Sequence, residues 1–281
     1  MRRLILLAPA FLIACSSPKP AATLASGPSI IGGTAVARSS DLGRVTGALM
    51  GDDRGWLCTF TLVSEEWLVT AGHCVLGSSA ESLEAVFETE VNGHVSERNV
   101  IKIKEVHVHP AYVEIDARLA AEEERLLREE KREITAAEQD AYMDWGDIAL
   151  LKLARPALSR SKFARLIPAD HVINKGERLL LAGYGETNGV EKSGSGQLRE
   201  AMVEVAEPRY GKTEILFDQR DGFGCCHGDS GGPAFVVIDG IHYLTGVTSR
   251  GIKDENDDCT TFAAYTDVRT YRDWIKEISG L

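Results

Sequence analysis

An all-β fold, a sandwich or barrel of short strands, is predicted for the chain after residue 29. From Ile30 onward, apolar and β-branched runs alternate with clusters of Gly, Asn, Asp and Ser, the spacing that strands joined by tight turns require. The runs occupy residues 60–63, 67–70, 178–182, 202–205, 234–238 and 243–248. No internal repeat at a solenoid period underlies them. With 281 residues, 44% of them hydrophobic and 26% charged, the chain can bury a sizeable core as one large domain or two fused subdomains.

Two segments depart from the strand pattern. Residues 114–143 are rich in Ala, Glu, Arg and Leu, contain no Gly or Pro, and carry Leu119, Leu126, Leu127 and Ile134 near heptad spacing, which predicts one helix. Glu114 with Arg118 and Glu124 with Arg128 form i,i+4 pairs of the favourable orientation, each contributing about 0.3 kcal/mol. The apolar stripe is narrow, so this helix is expected to rest lightly on the rest of the fold. A second helix is predicted over 271–278, where Trp274, Ile275 and Ile278 share a face.

The N-terminus reads as an export signal. Met1, Arg2 and Arg3 precede an apolar run over 4–14, too short for a membrane-spanning helix of roughly 20 residues. The run ends Leu12-Ile13-Ala14-Cys15, which resembles the lipobox of bacterial lipoproteins; that resemblance implies a signal peptide over 1–14 and a lipidated Cys15 anchoring the chain to the cell envelope. A simple signal peptide with an incidental cysteine is the alternative. Residues 16–29 are small, proline-broken and almost uncharged, the composition of a tether or propeptide. The whole chain has 31 basic and 42 acidic residues. Residues 1–29 hold three basic and no acidic ones, so the domain over 30–281 has 28 against 42, a charge of -14. Nucleic acid is excluded as an expected partner by that charge.

The chemistry-bearing residues fall in three separated segments. Peptide hydrolysis at neutral pH needs an activated nucleophile, a base for its proton, and a group that orients the base. Thr70-Ala71-Gly72-His73-Cys74 offers the base, Asp147-Ile148-Ala149-Leu150-Leu151 the orienting acid, and Gly228-Asp229-Ser230-Gly231-Gly232-Pro233 the nucleophile. In the order His, Asp, Ser, with Ile30-Ile31-Gly32-Gly33 at the start of the domain, these motifs resemble the trypsin/chymotrypsin-like serine proteases. The likeness continues through Cys58 and Cys74, His109-Pro110-Ala111-Tyr112, Ala182-Gly183-Tyr184-Gly185 and Tyr265-Thr266-Asp267-Val268, and covers nearly everything after residue 29.

The resemblance implies two six-stranded antiparallel β-barrels, the first from about Ile30 to the region of Leu153 and the second after it. The active cleft lies between them. It implies His73, Asp147 and Ser230 as the catalytic triad, and the N–H groups of Gly228 and Ser230 as the oxyanion hole. It further implies that Ile30, freed by cleavage, pairs its new ammonium with Asp229. Cys58–Cys74 and Cys226–Cys259 are the implied disulfides, leaving Cys225 as a free small hydrophobe, with a swapped bridge to Cys259 or a regulatory thiol as the other readings.

By the same resemblance Gly224, Ser249, Gly251 and Ala263 shape the substrate-binding pocket. Gly224 stands where trypsin-like members carry the aspartate that binds Lys or Arg, so an uncharged pocket for apolar or aromatic side chains is expected. Two departures complicate this: the acidic stretch with Asp254, Glu255, Asp257 and Asp258, and Arg250 in place of the usual tryptophan. His107 and His109 with Glu105 lack a third ligand pattern, so neither metal nor cofactor is expected. The expected protein is a monomeric endopeptidase acting on protein or peptide substrates. The rival reading is a non-catalytic binding or adhesion lipoprotein on a protease scaffold, with residues 114–143 as its contact surface.

Overall fold

The computed structural model describes residues 30–51, 57–142, 146–157, 162–252 and 258–281. The signal segment, Cys15 and the tether lie outside these residues, as do Asp254, Glu255 and Asp257. Among the described residues no helix is long and apolar enough to cross a membrane.

In chain order the elements begin with β1 (Thr34–Ala35) and a one-turn helix α1 (Leu42–Val45). The first barrel follows: β2 (Thr46–Gly51), β3 (Leu57–Leu62), β4 (Trp67–Thr70), β5 (Leu83–Val86), β6 (Val100–Val108) and, after helices α2 (Pro110–Arg125) and α3 (Ala136–Tyr142), β7 (Ala149–Leu153). It closes in the order β2-β3-β4-β7-β6-β5 through antiparallel pairs. A short β8 (Arg165–Leu166) leads to the second barrel, formed by β9 (Arg178–Gly183), β10 (Arg199–Tyr210), β11 (Glu214–Asp218), β12 (Pro233–Ile238), β13 (Ile241–Ile252) and β14 (Phe262–Asp267). Its ring runs β9-β10-β11-β14-β13-β12 and returns to β9. Helix α4 (Arg272–Ser279) ends the chain.

Residue pattern explains the barrels. Along β10, Ala201, Val203 and Val205 point inward and are buried, while Met202 and Glu204 face outward, the period of two that a half-buried strand requires. Phe60, Leu62, Leu68 and Leu83 in the first barrel, and Phe217 and Tyr265 in the second, are essentially inaccessible. Each such side chain stabilises the fold by about 1.5–3 kcal/mol relative to exposure.

The barrel boundary differs from the expected one. Residues 30–35 belong to the second barrel: Thr34 and Ala35 pair with Glu200 and Arg199, and Ile30 is wholly buried among Leu181, Val203 and Ile215. The first barrel begins only at Thr46. The C-terminus crosses the other way, with Val268, Tyr271 and Ile275 buried in the core shared with the first barrel. Residues 30–35 and 268–275 thus strap the barrels together.

The segment predicted as one helix over 114–143 is two. Helix α2 starts earlier, at Pro110, because proline suits a first helical position and His109 caps it, its Nδ1 accepting the Ala111 N–H at 3.2 Å. It continues as a π-helical turn over Leu126–Glu130 and stops at Lys131, which adopts a left-handed conformation (φ 55°). Helix α3 then begins behind Thr135, whose hydroxyl and N–H both bond Glu138 while the Glu138 N–H returns to the Thr135 hydroxyl. Of the expected stripe, Leu119 and Leu126 are buried and Leu127 is 53% exposed. The Glu124–Arg128 pair forms at 3.4 Å, whereas Arg118 lies over the Tyr142 ring. Arg125 reaches Glu122, Glu129 and Glu130, and Arg132 reaches Glu130 and Glu138, which knits the hairpin together. The predicted terminal helix is α4, one residue later than expected, with Ile275 buried and Trp274 and Ile278 packed on the core.

Candidate active site

Strand register brings His73 and Asp147 together. Thr70 at the end of β4 lies opposite Ala149 at the start of β7. Residues just beyond the first and just before the second must therefore meet. The His73 N–H donates to Asp147 Oδ1 at 2.9 Å, and His73 Nδ1 to Oδ2 at 2.8 Å. Fixing Nδ1 as the donor leaves Nε2 as the acceptor of the neutral ring. From the second barrel, the Ser249 hydroxyl donates to the same Oδ2 at 2.5 Å and the Thr266 hydroxyl to the Asp147 carbonyl at 2.8 Å.

Asp147 is 1% exposed. Burial pushes its carboxyl up, but the His73 charge and the hydrogen bonds from His73 and Ser249 outweigh this and hold it below the usual range. For His73, desolvation opposes protonation; the charge and hydrogen bond of Asp147 prevail and hold the imidazole above its ordinary value. Tyr112, 4% exposed at the root of α2, packs over Gly72 so closely that a side chain there would strike its ring. The helical hairpin is thus rooted directly against the His73–Asp147 pair.

The Ser230 loop docks on the other side of the seam. The Ser230 carbonyl accepts the Thr59 N–H at 2.7 Å, and the Gly228 carbonyl accepts the Thr59 hydroxyl at 3.0 Å. Gly231 sits against Thr59, Thr70 and Ala71 with no room for a Cβ. Gly228 has φ 99°, a conformation only glycine adopts freely, so the backbone dictates the sequence choice there. Asp229 is wholly buried; its Oδ2 accepts the Cys226 N–H at 2.8 Å and its Oδ1 the Gly185 N–H at 2.7 Å. Burial pushes this carboxyl up to about 7 against those two donors.

Beside Ser230 opens a cavity of about 220 Å³. Of the four residues expected to shape a substrate-binding pocket, Ser249 and Gly251 line this cavity, together with Cys225, Cys226, Arg250, Cys259 and Phe262. Gly224 and Ala263 do not. Ala263 lies opposite Gly251 in the β13–β14 register but is turned into the barrel core, and Gly224 is held in a backbone bridge with Ile31. Both implied disulfides are present, and Cys225 is a free buried thiol whose desolvation pushes its pKa up to about 12. His107 bonds Glu105 and His109 caps α2. Among the described residues, the two groupings with metal-ligand proximity, around His73 and around His227, draw on cysteines tied up in these disulfides.

Arg250 forms a bidentate ion pair with Glu214, which is 3% exposed. Sequence reading singled out Arg250 but missed Glu214. The signal was an acid opening the apolar run Ile215-Leu216-Phe217 of β11, whose partner only the barrel reveals.

The family model for trypsin matches residues 30–275. The chain belongs to the trypsin family. Trypsin 5G1 of Aedes aegypti is 29% identical over 251 residues, covering 83% of this chain and 79% of the relative. Complement C1s subcomponent of Sus scrofa is 26% identical over 241 residues, covering 77% of this chain but 31% of the relative. The chain thus spans about a third of that second, larger protein. As a trypsin-family protein it carries the protease fold, and the site described above lies at the seam of its two barrels.

Proposed function

We propose that this trypsin-family protein is a serine endopeptidase, exported and lipid-anchored through Cys15, with His73, Asp147 and Ser230 as its triad. The observation that carries the reading is the doubly bonded His73–Asp147 pair, closed from the second barrel by Ser249, beside the docked Ser230 loop. His73 Nε2 takes the Ser230 proton as Oγ bonds to the scissile carbonyl carbon. The N–H groups of Gly228 and Ser230 hold the oxyanion, and collapse breaks the C–N bond as His73 returns the proton to the leaving amine. Water then repeats the sequence on the acyl-enzyme.

An uncharged residue before the scissile bond is preferred, because no acidic side chain lines the described part of the cavity. A Lys or Arg buried there unpaired would cost several kcal/mol. A serine-reactive phosphonate is expected to label the protein at Ser230, and Ser230→Ala to abolish labelling. A protein that binds without catalysis leaves the probe unreacted.

The helical hairpin restricts access to the cleft. Its support is position and stiffness: it roots at Tyr112 against the catalytic pair and is tied by the arginine network, and residues 114–144 hold eleven acidic and five basic side chains. Replacing residues 114–142 by a short loop should change kcat/KM for folded protein substrates by about tenfold while peptides shift less than about twofold. Equal effects on both would count against gating.

A further inference from the structure

Gly224 is fixed from two sides. Its N–H and carbonyl form a two-bond bridge with Ile31, at 3.1 and 2.8 Å. On the other side lies Gln219, 2% exposed. A Cβ on residue 224 would fall on the Gln219 side chain, 2.5 Å from its Cγ and closer still to its amide carbon and oxygen. The Gln219 amide occupies the volume that a side chain at 224 would need.

That amide is not a loose end able to swing away. Its Oε1 accepts the Cys225 N–H at 2.8 Å, and its Nε2 donates to the carbonyls of Cys225 (3.2 Å) and Cys259 (2.8 Å). Its backbone N–H donates to Thr261 at 2.8 Å and its carbonyl accepts the Gly222 N–H at 3.0 Å. Cys225, Cys259 and Thr261 all line the cavity beside Ser230. A buried amide with its donors and acceptor all engaged is expensive to displace, since every bond broken leaves a desolvated partner.

We infer that Gln219 is a specificity-determining positioning residue: its amide, bonded to the lining residues Cys225 and Cys259, latches the two pocket walls and forces glycine at 224. This rests on the protease reading above. Pocket charge in this chain is then set by two positions jointly, so a carboxylate cannot enter at 224 unless 219 is vacated.

The test is a double-mutant comparison on full-length protein recovered in active form, with rates per site counted by phosphonate titration of Ser230. Gly224→Asp alone should gain less than about tenfold in kcat/KM on Lys or Arg peptides, and Gly224→Asp with Gln219→Gly should gain about a hundredfold more, because the two side chains contend for one volume. Gln219→Gly alone should raise KM for aromatic peptides by about tenfold with little change in kcat. Counting titrated sites removes any unfolded fraction. Should Gln219→Gly yield no folded protein, Gln219→Asn, one methylene shorter, with Gly224→Ser replaces it, and Gly224→Ser should be tolerated only beside Asn at 219. Equal gains from single and double variants, or an unchanged KM in Gln219→Gly, would overturn the inference alone. A parent chain that titrates no site overturns the protease reading and this inference with it.

Discussion

Asp147→Asn should leave the protein folded and lower kcat by about 10⁴-fold, the size of a wrong-tautomer defect in this arrangement. Asp147 Oδ2 accepts from both His73 Nδ1 and the Ser249 hydroxyl, and Oδ1 accepts the His73 N–H. An asparagine of the same shape must present its NH₂ to one of these donors. If that group faces His73, it demands an acceptor at Nδ1, the proton moves to Nε2, and the ring can no longer take the Ser230 proton. Ser230→Ala should fall further, by about 10⁶-fold, leaving what binding and the oxyanion donors supply. Steady-state kinetics on one peptide, with thermal melts to confirm folding, reads both. The pH profile sets the direction: His73 is held above its ordinary value, so activity should be full where the imidazole is neutral and fall as pH drops through that raised pKa. An Asp147→Asn protein within tenfold of the parent would refute the triad.

The candidate residues His73, Asp147 and Ser230 stood out because each lies in a short contiguous motif, and the strands behind two of them, β4 and β7, announce themselves as apolar runs. What the motifs could not give is what long-range register supplies. Arg250 stood out as a departure, but its partner Glu214 is 36 residues away and meets it only across the β11-β14-β13 pairing. Gln219 carries no local signal at all: a polar residue just past β11 reads as a turn residue, and its role follows from the clash it creates at Gly224. The N-terminal segment was assigned to the wrong barrel because its pairing with β10 is non-local, and two residues of strand have no periodicity to read. The hairpin's break fell at Lys131, where helix propensity argues for continuation; the reciprocal Thr135–Glu138 cap, visible in the sequence as Thr-x-x-Glu, was the available clue.

Cleavage before Ile30 should raise activity by at least about a hundredfold, since losing one member of a buried ion pair of this kind costs about 3–5 kcal/mol. In the uncut chain Asp229 is wholly buried, bonded to two N–H groups, and no cation pairs with it among the described residues. Its carboxyl, pushed up to about 7 from an ordinary 3.8, makes folding favour the neutral acid. The contribution of Asp229 to the stability of the uncut protein is therefore full below about pH 4 and is lost as pH rises towards 7, by roughly 4 kcal/mol in order of magnitude. A free ammonium on Ile30, whose side chain is already buried in the second barrel, would supply the missing charge and flatten that slope up to the pH at which the amine itself deprotonates, about 8 for an ordinary α-amino group. Cys15 is the one cysteine ahead of Ile30 in the sequence; with lipid on its sulfur it would hold the cut segment by no disulfide, and activation would also free the domain from the anchor proposed for it. Ser29 is neither Lys nor Arg, so the activating enzyme need not be trypsin-like. Denaturant melts of cut and uncut protein between pH 4 and 8, with Asp229→Asn as the control that should erase the difference between them, measure the electrostatic part. Mass spectrometry of phosphonate-labelled protein measures the rest: the active species should be soluble and begin at Ile30, and equal labelling of protein that still carries lipidated Cys15 would refute the coupling of activation to release.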